Sequence, residues 1–174
     1  MLNFEETSAL VDVFIALGVD KVRLTGGEPL LRRDLPALVR MLAAKPGLRD
    51  LALTTNGVLL QEQIDALKTA GLGRITVSLD TLRADRFARL TRFDQLAAVR
   101  QGLEAASRLY GSSTGGPDTF KIDSVIMRGV NDDELVELVE YGRPLGAEVR
   151  FIEYMDVGGA TRWSPDRVVS RTEM

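Results

Sequence analysis

The sequence contains no cysteine and no histidine among its 174 residues. Disulfide bonds, thiolate or imidazole metal sites, and nucleophilic catalysis by cysteine or histidine are therefore excluded within this chain. Any chemistry that the chain performs with its own groups must use carboxylates, lysine, arginine, hydroxyl groups or the backbone.

Long apolar runs are also missing from the sequence. No stretch approaches the roughly 20 apolar residues of a membrane span, and no signal-peptide pattern opens the chain. A net charge of −3 and a pI near 5.1 argue against a general binder of nucleic acids or anionic membranes. We therefore expect a cytoplasmic protein with no nucleic-acid or membrane partner. A content of 45% hydrophobic and 27% charged residues is typical of one globular domain with a core.

What the chain does contain is a regular alternation of helical and strand patterns. Five short apolar segments, "KVRLTG", "DLALTTNG", "RITVSLD", "TFKIDSVIM" and "AEVRFIEYM", are predicted strands, and helices are predicted between them. Thr7 is the predicted cap of the first helix and Asn131 that of the last. Connections this long require crossovers, so we predict an α/β fold with a parallel sheet. The pattern alone is compatible with both a doubly wound sheet and an open barrel.

Polar residues mark the carboxyl end of every predicted strand, where parallel α/β folds bind their ligands. The set consists of Lys21, Arg23, Thr25, Gly26, Gly27, Glu28, Thr54, Thr55, Asn56, Ser78, Asp80, Lys121, Asp123, Arg150, Glu153 and Met155.

Four cations in this set, Lys21, Arg23, Lys121 and Arg150, lie within otherwise apolar strands. A buried cation without a partner costs several kcal/mol, so these side chains need anions. Carboxylates at Asp80, Asp123 and Glu153 are one source of negative charge. Four cations on one face favour the other source, a polyphosphate or a similar anionic ligand.

Several residues of the set also have simpler interpretations. Glu28 could pair with Arg32 or Arg33 on the surface, Asp80 could cap the helix that follows it, and Met155 could pack in the core. None of them identifies a site by itself.

The order and content of five segments carry a family resemblance. "RLTGGEPLLRRDL", "LTTNG", "ITVSLDTL", "IMRGVNDDEL" and "VRFIEYMDVG" follow one another along the chain. From Leu2 to the end, the sequence resembles the GTP 3′,8-cyclase family of molybdenum cofactor biosynthesis, which uses radical chemistry of S-adenosylmethionine (SAM). The resemblance implies a partial TIM-type (β/α)6 radical SAM barrel. Residues 1–174 would form one domain with five of the six βα units, without the first strand, the cluster loop and the family's C-terminal domain.

The resemblance also implies roles for individual residues. Gly27, Ser78 and Met155 match SAM contacts, with Gly26 and Glu28 beside them, and Arg23, Thr54 and Lys121 match GTP contacts, with Lys21 and Arg150 lining the same pocket. Two features depart from the family. Asp123 stands where the family has asparagine, and the segment 111–118 resembles an insertion in a surface loop.

The activity that the resemblance implies is the lyase reaction that converts GTP to (8S)-3′,8-cyclo-7,8-dihydroguanosine 5′-triphosphate. The family uses SAM and 4Fe-4S clusters held by cysteines, which this chain does not contain. The chain alone is therefore expected to be inactive. GTP is the expected substrate, the next molybdopterin-pathway enzyme the expected recipient of the product, and a homodimer is compatible with the family. The alternatives are a non-catalytic nucleotide-binding fragment and a radical SAM enzyme with another substrate.

Overall fold

The computed structural model describes residues 2–113, 119–157 and 163–174. In these ranges helices and strands alternate as predicted. The strands are β1 (Lys21–Leu24), β2 (Asp50–Thr55), β3 (Arg74–Ser78), β4 (Phe120–Ile126) and β5 (Glu148–Glu153). The helices are α1 (Phe4–Ala16), α2 (Leu35–Ala43), α3 (Leu60–Thr69), α4 (Ala84–Thr91), α5 (Leu96–Tyr110) and α6 (Leu135–Leu145). Most of the proposed insertion, residues 114–118, lies outside the described residues.

The strands form one parallel sheet in the order β1-β2-β3-β4-β5. Each strand therefore pairs with the next one along the chain, and right-handed crossovers place the connecting helices on the same side of the sheet. A doubly wound sheet would reverse its strand order and carry helices on both sides. The strand order is therefore that of a partial (β/α) barrel and not of a doubly wound sheet, as the resemblance implied.

The hydrophobic core lies between the helices and one face of this sheet. Alternate strand residues such as Leu53, Ile75 and Ile122 are buried against helix residues such as Ile64 and Leu103. Burying a side chain of this size contributes about 1.5–3 kcal/mol. The core therefore explains why every second strand residue is apolar, and it leaves the remaining residues to face the other way.

Two helices begin elsewhere than predicted. Asn3 rather than Thr7 caps α1, because the Asn3 side chain accepts a hydrogen bond from the Glu6 backbone while the Glu6 carboxylate accepts one from the Asn3 backbone. Thr7 Oγ1 instead donates to the Asn3 carbonyl, at 2.8 Å. The cap position of α6 is Glu134, not Asn131.

The turn between β2 and α3 is held by close packing against α5. Gly57 has φ +82°, and a Cβ added at Gly102 of α5 would lie 2.5 Å from the Gly57 carbonyl oxygen. Glycine at both positions therefore lets the helix approach the turn. This contact fixes the position of Asn56, which directly precedes Gly57 at the carboxyl end of β2.

No helix within the described ranges combines the length and the apolar character that a membrane crossing requires.

Candidate functional site at the carboxyl ends of the strands

The sheet face opposite the helices carries most of the charged strand residues. Pairing in register places Arg23 beside Ala52, Ala52 beside Arg74, and Thr76 beside Lys121. We call this surface the cationic face, defined by Lys21, Arg23, Arg74, Lys121 and Arg150. It also carries Asp50, Thr54, Thr76, Ser78, Asp123 and Glu148. Arg23, Thr54, Ser78 and Lys121 therefore all lie on this one face of the sheet.

Some of these cations have carboxylate partners. Arg150 donates two hydrogen bonds to Asp123, at 2.8 and 3.0 Å. Lys121 Nζ lies 2.5 Å from a carboxylate oxygen of Glu148. Asp123 is therefore one source of negative charge for the cations, as expected, and the cation that it pairs with is Arg150.

The other two carboxylates proposed as counter-ions lie elsewhere. Glu153 accepts a hydrogen bond from the Arg171 backbone, at 2.6 Å. Asp80 accepts one from the Val125 backbone, at 2.8 Å. Neither one contacts a cation of the cationic face within the described residues.

Arg23 and Lys21 differ from the other cations of this face. Arg23 donates to Thr54 Oγ1 at 2.8 Å and to Thr76 Oγ1 at 3.2 Å, and hydroxyl groups orient its guanidinium without neutralising it. Neither Arg23 nor Lys21 has an ion-pair partner in the part of the chain that the structure describes, and both are exposed. These two charges are therefore available to an anion.

A cleft of about 430 Å³ lies beside this face, at the carboxyl ends of the first three strands. Its polar residues are Glu28, Asn56, Ser78, Asp80, Thr81, Thr91 and Gln95, and its apolar wall consists of Leu31, Val58, Leu59, Phe87, Leu90 and Phe93. The two charged groups among the lining residues are both carboxylates. The cleft and the cationic face therefore differ in the charge that they present.

Glu28, which lines the cleft, is held in place by three hydrogen-bond donors. Its carboxylate accepts hydrogen bonds from the Leu30 backbone at 3.0 Å, from Thr55 Oγ1 at 2.7 Å and from the Asn56 backbone at 2.7 Å. The expected surface pairing with Arg32 or Arg33 is therefore wrong. Glu28 instead ties the turn after β1 to the end of β2.

The glycine turn before Glu28 leaves its backbone open. Gly26 has φ +135°, a conformation that disfavours any side chain, and a Cβ added at Gly27 would meet no atom within 4 Å. Both glycines are exposed. Their backbone groups can therefore meet a ligand without steric hindrance.

Met155 does not join these residues. It lies two positions beyond β5, its exposed fraction is 61%, and it is not among the residues that line the cleft. The structure thus brings Glu28 and Ser78 together in the cleft and leaves Met155 apart from them. The proposed core packing of Met155 is wrong.

Asp80 lines the cleft two residues beyond the end of β3. The expected capping of the next helix is wrong, since the cap position of α4 is Arg83. Burial of the Asp80 carboxyl raises its pKa, and the hydrogen bond from the Val125 backbone opposes that shift in part. An acidic group with restricted hydration therefore faces the cleft.

The loop after Asp80 is fixed by a buried carboxylate. Glu134 accepts hydrogen bonds from Thr81 Oγ1 at 2.6 Å and from the Leu82 backbone at 2.7 Å, and Arg86 contacts the same carboxylate. Its side chain is fully buried. This network joins the β3–α4 loop to the start of α6 and thereby fixes one wall of the cleft.

Sequence reasoning missed several parts of this site. Thr76 and Glu148 were not singled out, although their alternation with Ser78 and Arg150 along the strands places them on the same face. The apolar wall from α4 and the α4–α5 loop had no distinguishing pattern, because its residues are ordinary helix and loop residues.

Comparison with known proteins bears on this arrangement. A family model described as the Radical SAM superfamily matches residues 1–142. The chain belongs to the radical SAM superfamily. Membership implies SAM and a 4Fe-4S cluster as the cofactors of the family.

Individual relatives carry a more specific name than the superfamily. A protein named GTP 3′,8-cyclase 3 from Mycobacterium bovis is 54% identical over all of this chain and 46% of its own length. GTP 3′,8-cyclase 1 from Mycobacterium tuberculosis is 53% identical over all of this chain and 48% of its own length. A GTP 3′,8-cyclase from Xanthomonas axonopodis pv. citri is 48% identical over 99% of this chain and 50% of its own length. The chain spans about half the length of the curated relatives it matches.

The two family cofactors fit this chain differently. The cleft, with its acidic groups and the open glycine backbone beside it, suits a ligand that carries hydrogen-bond donors and positive charge, as SAM does. An iron–sulfur cluster does not fit, because the sequence has no cysteine, and the described residues hold no cluster of metal-ligating side chains.

Proposed function

We propose that this chain is the nucleotide-binding part of a radical SAM GTP 3′,8-cyclase. In this proposal the parent protein converts GTP to (8S)-3′,8-cyclo-7,8-dihydroguanosine 5′-triphosphate, the first step of molybdenum cofactor biosynthesis. The observation that carries the proposal is the pair of cations without carboxylate partners, Arg23 and Lys21, on the cationic face. The names and identities of the relatives support GTP as the anion.

The triphosphate of GTP would lie on the cationic face. Arg23 is already oriented by the hydroxyl groups of Thr54 and Thr76, so less side-chain freedom is lost when it binds a phosphate. Lys121 and Arg150 would exchange their carboxylate partners for phosphate oxygens. Such an exchange leaves neither cation without an anion, which matters most for Lys121, because its side chain is largely buried.

SAM would lie in the cleft, next to the triphosphate. The backbone of Gly26 and Gly27 would bind its amino acid portion, Ser78 would contact its nucleoside portion, and Met155 would approach from the end of β5. Glu28 would support the glycine turn from below. When bound, SAM supplies the radical chemistry that defines the superfamily. The residues of this chain bind and orient the two ligands and neutralise the charge of the triphosphate.

The iron–sulfur clusters of the proposed parent enzyme would be held by residues outside these 174. A chain without cysteine offers no thiolate to iron, so we propose that it is inactive alone. In this proposal the parent protein acts in the cytoplasm, and its product goes to the next molybdopterin-pathway enzyme. A homodimer is compatible with the proposal. The lack of cysteine also favours a second candidate, a non-catalytic chain that keeps nucleotide affinity.

Replacement of Arg23 tests the proposal. Arg23→Ala should weaken GTP binding by about tenfold to a hundredfold, because a hydrogen bond to a charged group is worth roughly 1.5–3 kcal/mol. Isothermal titration with GTP measures the affinity, and a thermal melt shows whether the fold is kept. Arg40→Ala is the matched control, since Arg40 is an exposed arginine on α2.

The melting temperature separates a ligand site from a structural role. Arg23 bonds to neutral hydroxyl groups, so its loss should leave stability nearly unchanged. Equal GTP affinity in wild type and Arg23→Ala, together with a lower melting temperature, would contradict the proposal.

A further inference from the structure

The carboxylate of Glu134 lies at the start of α6, but the groups that donate to it belong to another part of the chain. Its side chain is fully buried at the cap position of α6. Thr81 Oγ1 donates to it at 2.6 Å and the Leu82 backbone at 2.7 Å, and Arg86 of α4 donates to the same carboxylate. Within the described residues, these three donors all come from the segment 81–86. The carboxylate is thus dedicated to the loop between β3 and α4.

A second residue of the same connection holds the position before this loop. Asn131 is fully buried, and its Nδ2 donates to the Asp80 carbonyl at 2.6 Å and to the Val125 carbonyl at 2.9 Å. The connection from β4 to α6 therefore holds residues 80–82 one after another. Two of them, Asp80 and Thr81, line the cleft. The wall of the cleft at this point depends on a segment more than 40 residues away in the sequence.

Stability alone does not require a buried charge at this place. Replacing a buried ion pair with apolar residues of similar volume is often neutral or stabilising. A carboxylate provides what an apolar side chain lacks, namely two acceptors that fix the direction of a hydroxyl group and of a backbone N–H. Glu134 is not among the residues that line the cleft. Any influence of Glu134 on a ligand is therefore transmitted by the loop.

We propose that Glu134 is a positioning residue for the cleft. It holds the β3–α4 loop in the conformation that binds the ligand, without contacting the ligand itself. This inference rests on the proposed function, in which the ligand of the cleft is SAM. The hydrogen bonds of the Glu134 carboxylate reach no residue of the cationic face, so the binding of GTP should not depend on it.

Glu134→Gln is the variant that isolates this role. The glutamine keeps the size and shape of the side chain but has one acceptor oxygen and one NH₂ donor. The oxygen can serve either the Thr81 side or the Leu82 N–H, and the NH₂ group then meets a donor on the other side. The loop loses an attachment and opens more often. Since only the closed fraction binds, the affinity for SAM should fall by about tenfold, as isothermal titration on the 174-residue chain measures.

Hydrogen exchange separates a held loop from a merely stabilising network. The Leu82 amide is bonded to Glu134, so its exchange rate in NMR reports the opening of the loop. In Glu134→Gln this rate should rise by about tenfold more than the rates of buried strand amides such as those of Leu53 and Ile75, which follow the stability of the whole fold. An equal rise at all three amides would show a structural role alone and would overturn the inference.

The wild-type chain offers a test that does not depend on the folding of a variant. A ligand that binds only the closed loop slows its opening in proportion to its excess over the dissociation constant. SAM at 100 times that constant should therefore slow exchange of the Leu82 amide by about a hundredfold, whereas GTP should leave it unchanged. Bound SAM without any slowing at Leu82 would overturn the inference.

Glu137→Gln is the matched control. Glu137 is an exposed glutamate on the same helix, and it accepts hydrogen bonds from Arg83 of the same segment, at 3.1 and 3.2 Å. This variant should keep the wild-type affinity for SAM and the wild-type exchange rate at Leu82.

The outcomes distinguish the inference from the proposed function. Equal SAM affinities of wild type and Glu134→Gln would overturn the inference and leave the proposed function standing. A wild-type chain that does not bind SAM would contradict the proposed ligand of the cleft and the inference with it, while GTP titration tests the cationic face separately. An equal loss of GTP affinity in Glu134→Gln would indicate a general disturbance and would likewise overturn the inference.

Discussion

The cleft and the cationic face adjoin at Ser78, yet they present charge of opposite sign. Glu28 and Asp80 are the charged residues of the cleft, whereas the cationic face has more arginine and lysine than carboxylate. A ligand with positive charge and a ligand with several negative charges could therefore bind side by side. Each region would disfavour the ligand of the other, since a like charge costs free energy at short range.

The two regions also differ in what holds their charged groups. Backbone N–H groups of Leu30, Asn56 and Val125 hold the carboxylates of the cleft, so these carboxylates move only if the strand ends move. Side chains hold the cations of the face, and side-chain ion pairs can exchange partners without moving the backbone. The comparison indicates a cleft whose shape is set before binding and a face that rearranges its charges around the ligand.

The largest expected effect is a loss of stability, and it tests whether Glu28 holds the cleft in a fixed shape. Glu28→Ala should reduce the free energy of unfolding by about 2–4 kcal/mol, because three donors lose their acceptor at once. Urea unfolding measures the change. Glu62→Ala, an exposed glutamate on α3, is the control and should stay within about 0.5 kcal/mol of wild type. A loss for Glu28→Ala no larger than that of the control would show that the turn does not depend on this carboxylate.

A smaller effect, on GTP affinity, tests whether the cations of the cationic face exchange their carboxylate partners for phosphate. Asp123→Asn removes the charge that holds Arg150, so Arg150 becomes available to the triphosphate, and GTP affinity should rise by about three- to tenfold. Calorimetric titration at low and high salt measures the gain, which should shrink as salt screens the charges. Asp12→Asn, an exposed aspartate on α1, controls for the change in net charge. An unchanged or lower GTP affinity relative to that control would mean that Arg150 does not reach the ligand.

The smallest effect concerns pH and the carboxylate of Asp80. Burial raises the pKa of Asp80 above its ordinary value of 3.8, so the folded chain binds this proton more tightly than the unfolded chain does. Stability is therefore lost as the pH rises from 3.8 through the raised pKa, and the loss persists at neutral pH. Asp80→Asn should melt at most about 4 °C higher than wild type at pH 7, the shift expected for roughly 1 kcal/mol in a chain of this size.

The pH series provides the control for that prediction. The difference between Asp80→Asn and wild type should narrow as the pH is lowered toward 3.8, because the wild-type carboxyl becomes neutral as well. Asp65→Asn should show no comparable pH dependence. A lower melting temperature for Asp80→Asn at pH 7 would mean that the hydrogen bond from Val125 outweighs the cost of burial.

The sequence was sufficient to predict the strands, the helices between them and the polar strand ends. Alternation of apolar and polar residues is a local property, so Arg23 and Lys121 could be placed on one face before the sheet order was known. The order of the strands decided between a barrel and a doubly wound sheet, and that choice depends on contacts distant in the sequence.

The partners of individual charged side chains could not be predicted either, because they too depend on contacts between residues distant in the sequence. Glu28 is bound by donors at the carboxyl end of β2, and Lys121 is bound by Glu148 of the next strand. Both contacts depend on the register of a parallel sheet. Asn131 was predicted as a helix cap from its local sequence, but it is buried at the carboxyl ends of β3 and β4, where it donates to the carbonyls of Asp80 and Val125. The tertiary contacts there outweigh the local preference of asparagine for helix starts.

The sequential strand order has a consequence for association between chains. β1 lies at one end of the sheet, and an edge strand presents unpaired backbone groups that another strand can bind. Lysine and arginine on an edge strand oppose such pairing, because two copies would bring like charges together. In the 174-residue chain, Lys21 and Arg23 therefore oppose pairing of β1 with a second copy, in addition to facing the proposed triphosphate. Removing both cations at once would combine the two effects, so single substitutions are the cleaner probes of ligand binding.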